Sequence, residues 1–488
     1  MTGLLALLSC GPKEPPAAVV ESRAPLMYFI MVDRFANGDS TNDPPGTDAS
    51  DPQAWHGGDL AGVLQNVDWL DKMGVTTVWL SPLMKTRYDP FFEWGAFHGY
   101  WVEDHGLLDP AYGTEDELRA LSAALAERGM SLVLDMVYNH SAMDGALLAE
   151  HPDWFHTTGA IEDWNDPVEL QNNRVHGLPD LDQDKPEVYA HLLSASWYWT
   201  ELAHPAGFRI DAVRHMPPGF LARLDQDLGD VWMLAEVYDG DPAQLRSDWD
   251  EGGFESVFDF PLHFAMVDVF CKDAPLGRLA ATLSMDRIYE DPQALFTFLD
   301  NHDRPRIQSA CGDNTQQALN VLFSLRGTPT LTWGTEVGIE GAEEPENRSD
   351  MRFESHPLRD NIQHLAAFRS ASPALARGDS WVSGFDGQTL SVTREAEGQR
   401  LTLDITDTTF SIRNGGPDKP TGTTVVQFKL REGDVVAGAG PELGNWDPAT
   451  RVRSATVPHG TVLEFKHVDM SGESPVWEEG PNRYLWVP

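Results

Sequence analysis

The chain has 488 residues, 41% hydrophobic and 10% aromatic, a globular composition long enough for a large core and roughly two to four domains. The formal net charge of −41 reads as a solubilising, self-repelling surface, and without any basic stripe it excludes nucleic acid as a partner. Three cysteines are too few for a disulfide framework, and no stretch approaches the ~18 apolar residues of a membrane helix.

In chain order, "LLALLSCG" and "PKEPPAAVVESRAP" come first: an apolar run, a small residue, Cys10 and a Pro/Ala-rich tether. Residues 1–22 read as an export leader resembling a bacterial lipoprotein signal, with Cys10 as the lipid anchor and an extracellular or cell-surface destination. Eight short apolar, β-rich runs follow: 25–32, 76–82, 131–139, 207–213, 231–237, 254–260, 294–300 and 328–333. Helical stretches lie between several of them, such as 114–129, with a capping-box start and a glycine stop. Near-continuous apolar strands alternating with helices predict a parallel sheet buried on both faces. Eight such units predict a (β/α)8 TIM barrel over 23–369, with an open doubly wound sheet as the structural alternative. About forty residues after strand three, rich in Trp, His, Asp and Asn, are too many for a plain loop and predict an inserted subdomain over 139–182. Past 370 the pattern turns to period two, which predicts a small antiparallel β domain over 370–413. A Gly/Pro-rich linker over 414–423 and a last β domain over 424–488 complete the chain. The sequence leaves open whether Cys271 and Cys311 pair.

Polar residues cluster at the strand ends, where barrels of this kind do chemistry. "GFRIDAVRH" (207–215) places Arg209 and Asp211 two positions apart, on one face of a strand. Asp135, Asn139 and His140 end strand three, Glu236 ends strand five, and Asp300, Asn301, His302 and Asp303 end strand seven. Any single carboxylate here is more often a cap or a turn residue. Three from different strands fit glycosidic cleavage, which needs a proton donor and a second carboxylate across the sugar ring. Asp211, beside the Arg209 cation, reads as the ionised nucleophile. Glu236, closing the apolar "VWMLAE", reads as the acid.

"DMVYNH", "GFRIDAVRH", "AEVYDGDP" and "FLDNHD" resemble, in order and spacing, the four conserved regions of the α-amylase family of retaining glycoside hydrolases. The resemblance implies Asp211 as nucleophile, Glu236 as general acid/base and Asp303 as the carboxylate that holds the distorted ring. It implies sugar contacts from Arg209, His140 and His302. In "FHGYW" it implies a stacking Tyr100 with His98 nearby. Arg348 in "EEPENRSDM" matches a substrate-binding arginine, and Glu344 stands where the family has an aspartate.

The resemblance also implies Ca²⁺ as cofactor, held by Asn139, Asp180 and the carbonyl of His215, all hard oxygen donors. A second calcium loop is implied by likeness to cyclodextrin glycosyltransferases, at Asn37, Asp39, Asn42, Asp43, Gly57 and Asp59. "PELGNWDP", "LEFKHV" and "VWEEGPNRYLWVP" resemble a starch-binding domain, which implies Trp446, Glu464, Lys466, Trp477 and Asn482 as sugar contacts. That segment is shorter than the type and lacks its intervening tryptophan strand. The implied protein is an exported, monomeric α-amylase acting on starch and related α-glucans. The alternative is a glucan transferase. Against it stand the missing extra β domain before 424 and His176 where the transferases carry an aromatic residue.

Overall fold

The computed structural model describes residues 24–488 except 92, 93 and 473, so the leader and Cys10 lie outside the described residues. All eight apolar runs become strands of one closed barrel: β1 Met27–Ile30, β2 Thr77–Leu80, β3 Ser131–Met136, β4 Gly207–Ile210, β5 Trp232–Ala235, β6 Ser256–Phe258, β7 Leu295–Phe298 and β8 Thr328–Thr332. Neighbours in sequence are neighbours in space. The ring closes where Tyr28 of β1 lies beside Val78 of β2 on one side and Leu331 of β8 on the other.

The helices between strands follow from their caps and apolar stripes. Thr114 and Glu117 form a reciprocal capping box at the start of Glu115–Glu127, which turns Leu118, Leu121 and Leu125 into the core. The strands are shorter than the runs that seed them. Run 131–139 gives Ser131–Met136 and run 207–213 gives Gly207–Ile210. Beyond those points the chain leaves the ladder, so the polar strand-end residues face the mouth of the barrel.

The inserted segment is rooted by two antiparallel bridges, His140 with Asp180 and Phe155 with Leu181. It carries the short helices Ala146–Glu150 and Pro167–Asn172. A hairpin that the periodicity did not announce, Met84–Thr86 against Val102–Leu108, brackets the segment with His98 and Tyr100. Its pairing shifts register twice, which hides the alternation that marks a strand. Cys271 and Cys311, left open by the sequence, are joined by a disulfide. Among the described residues no helix is long and apolar enough to cross a membrane.

Past the barrel, Asp379–Phe385, Leu390–Ala396, Gln399–Ile405 and Phe410–Asn414 form a four-stranded antiparallel meander. The last segment forms two further sheets. Thr423–Gln427 pairs with Ser454–Pro458, and Thr461–Asp469 lies between Asp434–Gly438 and the strands Val476–Trp477 and Arg483–Val487. This segment packs directly on the barrel helix Gly277–Ser284. A Cβ on Gly277 would sit 2.2 Å from the Tyr484 ring, so only glycine lets the two surfaces meet. Ser284 Oγ donates to the Val462 carbonyl at 3.2 Å, and Arg287 pairs with Glu442 at 2.8 Å.

Glu464 is 2% exposed and bonds Arg278 of the barrel at 3.2 Å, and with Trp446 and Asn482 it lines an open cavity of about 470 Å³ between this segment and the barrel.

Candidate active site

The mouth of the barrel opens into a cleft of about 990 Å³. Tyr100, His140, Asp211, Glu236, His302, Asp303 and Arg348 all line it, so the strand-end residues named from the sequence converge on one place. At its floor lies Arg209, 1% exposed. Its Nη1 donates to Asp135 Oδ1 at 2.9 Å and to Asp211 Oδ1 at 2.7 Å, and its Nη2 meets Glu236 Oε2 at 2.8 Å. One guanidinium thus holds carboxylates from β3, β4 and β5. The spacing in "GFRIDAVRH" predicts the contact with Asp211; the other two come from neighbouring strands and are invisible in sequence spacing.

Three carboxylates around one cation leave an excess of negative charge. Burial, with Asp211 and Asp303 nearby, outweighs Arg209 and pushes Glu236 up to about 8. Ala212 donates its N–H to Glu236 Oε2 at 3.2 Å from a left-handed backbone at φ +49, an uncommon conformation for alanine. Asp135, pushed up to about 7 chiefly by burial, is pinned by Trp79 Nε1 at 3.0 Å and by the Tyr100 hydroxyl at 2.8 Å.

Across the cleft Asp303 is held differently. Burial raises it, but His302, Arg348 and Arg209 together outweigh burial and keep it below the usual carboxylate range. Arg348 Nη2 donates to Asp303 Oδ1 at 2.9 Å and to Glu344 Oε1 at 2.6 Å. Glu344, the departure from the family pattern, therefore lines the cleft and shares the arginine.

The Tyr100 and His302 rings are parallel within 2°, with centroids 5.3 Å apart. His140 Nε2 donates to the Tyr100 carbonyl at 3.1 Å, and His98 Nδ1 accepts the Tyr100 N–H at 3.0 Å. Burial lowers His98, His140 and His302, the last to about 4, so the cleft presents neutral imidazoles to a neutral, hydroxyl-rich ligand. Phe91, Trp94, Trp101, Trp164 and Tyr238 add aromatic wall. Of these, Trp164 and Tyr238 are the most exposed, and neither stood out as a site residue in the sequence. The Trp-rich insert and the position two after Glu236 were the available signals.

Among the described residues no three His, Cys, Asp or Glu side chains converge as a metal cluster. Amide and carbonyl oxygens do better. Asn139 Oδ1 faces the His215 carbonyl at 2.8 Å and Asp180 Oδ1 at 3.2 Å, three acceptors with no donor between them unless the amide is turned over. Acceptor oxygens gathered in this way suit a hard cation. The second loop fits less fully. Asn37 and Asp43 meet at 2.8 Å under Gly57, and Asn42 Oδ1 is buried without a partner. Asp59 is spent on the N–H groups of Gly38, Asp39 and Gly62, and Asp39 turns to Thr41.

On the C-terminal segment the Trp446 and Trp477 rings lie 6.3 Å apart at 40°. Asn482 donates to Glu464 at 2.7 Å, and Lys466 is half-buried on the same strand. His176 lines the main cleft with φ +51.

A family model described as the alpha-amylase catalytic domain matches residues 29–373. The beta/alpha-amylase of Paenibacillus polymyxa is 32% identical over 406 residues, 78% of this chain and 33% of that protein, so the chain spans about a third of that relative's length. The α-amylase of Geobacillus thermoleovorans, solved with acarbose, aligns at TM-score 0.72 and 29% identity, covering 93% of this chain and 99% of its own. The glucanotransferase CldA, described as having a three-domain ABC distribution, aligns at TM-score 0.73 and 27% identity over 90% of this chain and 98% of its own.

Proposed function

The chain belongs to the alpha-amylase family through its catalytic domain, and on that premise we propose that it hydrolyses α-1,4-glucosidic bonds of starch and maltooligosaccharides with retention of configuration. The observation that carries this is the sharing of one guanidinium by Asp211 and Glu236, with Asp303 held across the cleft by Arg348.

Asp211 attacks the anomeric carbon while Glu236 gives its proton to the departing glycosidic oxygen, which leaves a glycosyl ester on Asp211. Glu236, now a carboxylate, takes a proton from water, and the resulting hydroxide attack frees the sugar and restores both groups. The raised proton affinity of Glu236 serves the first step, and the nearby guanidinium stabilises its anion in the second. Asp303 and the neutral imidazoles of His140 and His302 hold sugar hydroxyls. Tyr100 offers its ring to the apolar face of the sugar.

A second reading, transfer of the glycosyl group to another sugar, is favoured by the likeness to CldA over most of the chain. The missing extra β domain, taken from the sequence as evidence against transfer, loses its force beside a three-domain glucanotransferase. The discriminating assay is a product profile from amylose. Reducing ends with no cyclic products support hydrolysis; cyclodextrins as main products support transfer.

The reading includes a calcium ion at Asn139, Asp180 and the His215 carbonyl, which would tie the insert to the barrel and take no part in bond cleavage. EDTA should lower the thermal midpoint and Ca²⁺ restore it, and an unmoved midpoint removes the ion from the account. It includes a glucan surface at Trp446 and Trp477, to be checked by starch-granule binding of Trp477→Ala. It includes export with a lipid on Cys10, to be checked by labelling the expressed chain with a fatty acid.

A further inference from the structure

The interior of a barrel is filled in layers, each fed by alternate strands. In the layer under the cleft, β2, β4, β6 and β8 contribute Trp79, Arg209, Phe258 and Thr330. The Arg209 guanidinium stands 5.1 Å from the Trp79 ring centre, and the Trp79 and Phe258 ring centres are 5.3 Å apart. Three of the four side chains are large. Threonine is not, and a cavity of about 10 Å³ remains among them, with Glu236, Asp300 and Asn301 also in its wall. That is about the room of one water.

Among the described residues, Arg209 Nε and Thr330 Oγ1 are buried without a partner, and both side chains line this cavity. Arg209 gives Nη1 and Nη2 to three carboxylates, which leaves Nε–H to find another acceptor. Thr332, two places along the same strand, gives its hydroxyl to the Asp300 carbonyl at 2.9 Å, which singles out Thr330. Buried polar groups of this kind are costly unless something meets them. One water can accept from Nε–H, bond the threonine hydroxyl and keep a hydrogen for Glu236. Glu236 lines this cavity and the cleft alike. With the Glu236 and Asp300 side chains in the wall against a single guanidinium, the space suits a neutral guest rather than an anion.

We propose that the cavity holds a resident water, fixed by the Thr330 hydroxyl between Arg209 Nε and the Glu236 carboxyl, which makes Thr330 a positioning residue for the proton donor. The proposal rests on the reading of Glu236 as general acid/base and adds a residue that acts on it through the water. By donating to Glu236, the water supports the ionised form that the second step needs. Without it, burial weighs more heavily on that form, and Glu236 keeps its proton to higher pH.

The test compares Thr330→Val, which removes the hydroxyl and keeps the shape, with Thr330→Ser, which keeps the hydroxyl. Crystals of the wild type should show one ordered water in the cavity, and crystals of Thr330→Val none. The alkaline limb of kcat/KM should move up by about half a pH unit or more in Thr330→Val, and stay in place in Thr330→Ser. An unmoved limb in Thr330→Val overturns the proposal, as does a water that persists there or is missing from the wild type. A serine variant that behaves like the valine variant overturns it too, because lost methyl packing would then be the cause. Anomalous density from soaked bromide in the cavity would mark an anion and overturn the neutral guest. A wild type whose profile has no alkaline limb sinks the acid/base reading of Glu236 instead, so the two failures are separable.

Discussion

Arg326 and Arg209 are both 1% exposed at the side chain, yet they keep different company. Arg326, just before β8, gives Nε and Nη2 to both oxygens of Asp286 and Nη1 to Asp259. Asp259 also caps the helix Phe260–Cys271, accepting the Leu262 N–H at 3.0 Å, so that site is closed on itself and away from the cleft. Arg209 serves three carboxylates, one more than Arg326, and two of them open on the cleft. Closed away from the cleft, Arg326 builds structure. At the cleft, burial first and then the neighbouring Asp211 and Asp303 carboxylates make it favourable for Glu236 to keep a proton near neutral pH, which is what a general acid needs.

Removing the carboxylate that opens on the cleft should have the largest effect. Glu236→Gln keeps the shape and loses the proton, so kcat on a maltooligosaccharide should fall about 10²–10⁴-fold. The same chemistry at the closed site should show up as stability instead. Arg326→Met strands Asp259 and Asp286, and denaturant unfolding should lose about 3–5 kcal/mol while kcat/KM of the folded fraction stays at the wild-type value. Equal losses of activity in both variants would erase the contrast.

The smaller effects are pH dependences. Glu236 moves from 4.5 to about 8 on folding, so the alkaline limb of kcat/KM should fall near pH 8. Between those two values the native state holds a proton that the unfolded chain has released, so this group's stabilising contribution declines as pH rises across the window. Glu236→Gln lacks that decline. Its thermal midpoint should therefore gain on wild type by about 3 °C between pH 5 and pH 9. A gap that does not change with pH would mean that the carboxylate is not held protonated.

Local chemistry made much of this legible. Eight apolar runs were enough for the barrel, because strands buried on both faces read as near-continuous apolar stretches with few polar interruptions. Asp211, Glu236 and Asp303 were readable because each falls at or just past the end of such a run and breaks its apolar character. The contacts of Arg209 with Asp135 and Glu236 were not, since they depend on which strands become neighbours once the barrel closes. The hairpin at Met84–Thr86 was hidden by its shifts of register. The ion pair of Glu464 with Arg278 was not legible either, because a period-two pattern tells which residues share a face but not what covers that face.

Retention turns on Asp211 as the nucleophile that attacks the anomeric carbon, and trapping tests that directly. The enzyme is incubated with a 5-fluoro-α-maltosyl fluoride, whose fluoride leaves while turnover of the resulting ester is slowed. Peptide mass spectrometry should then find the 5-fluoromaltosyl adduct on the peptide containing Asp211. An adduct on any other residue, or glycosyl release with no ester formed at all, would contradict the mechanism.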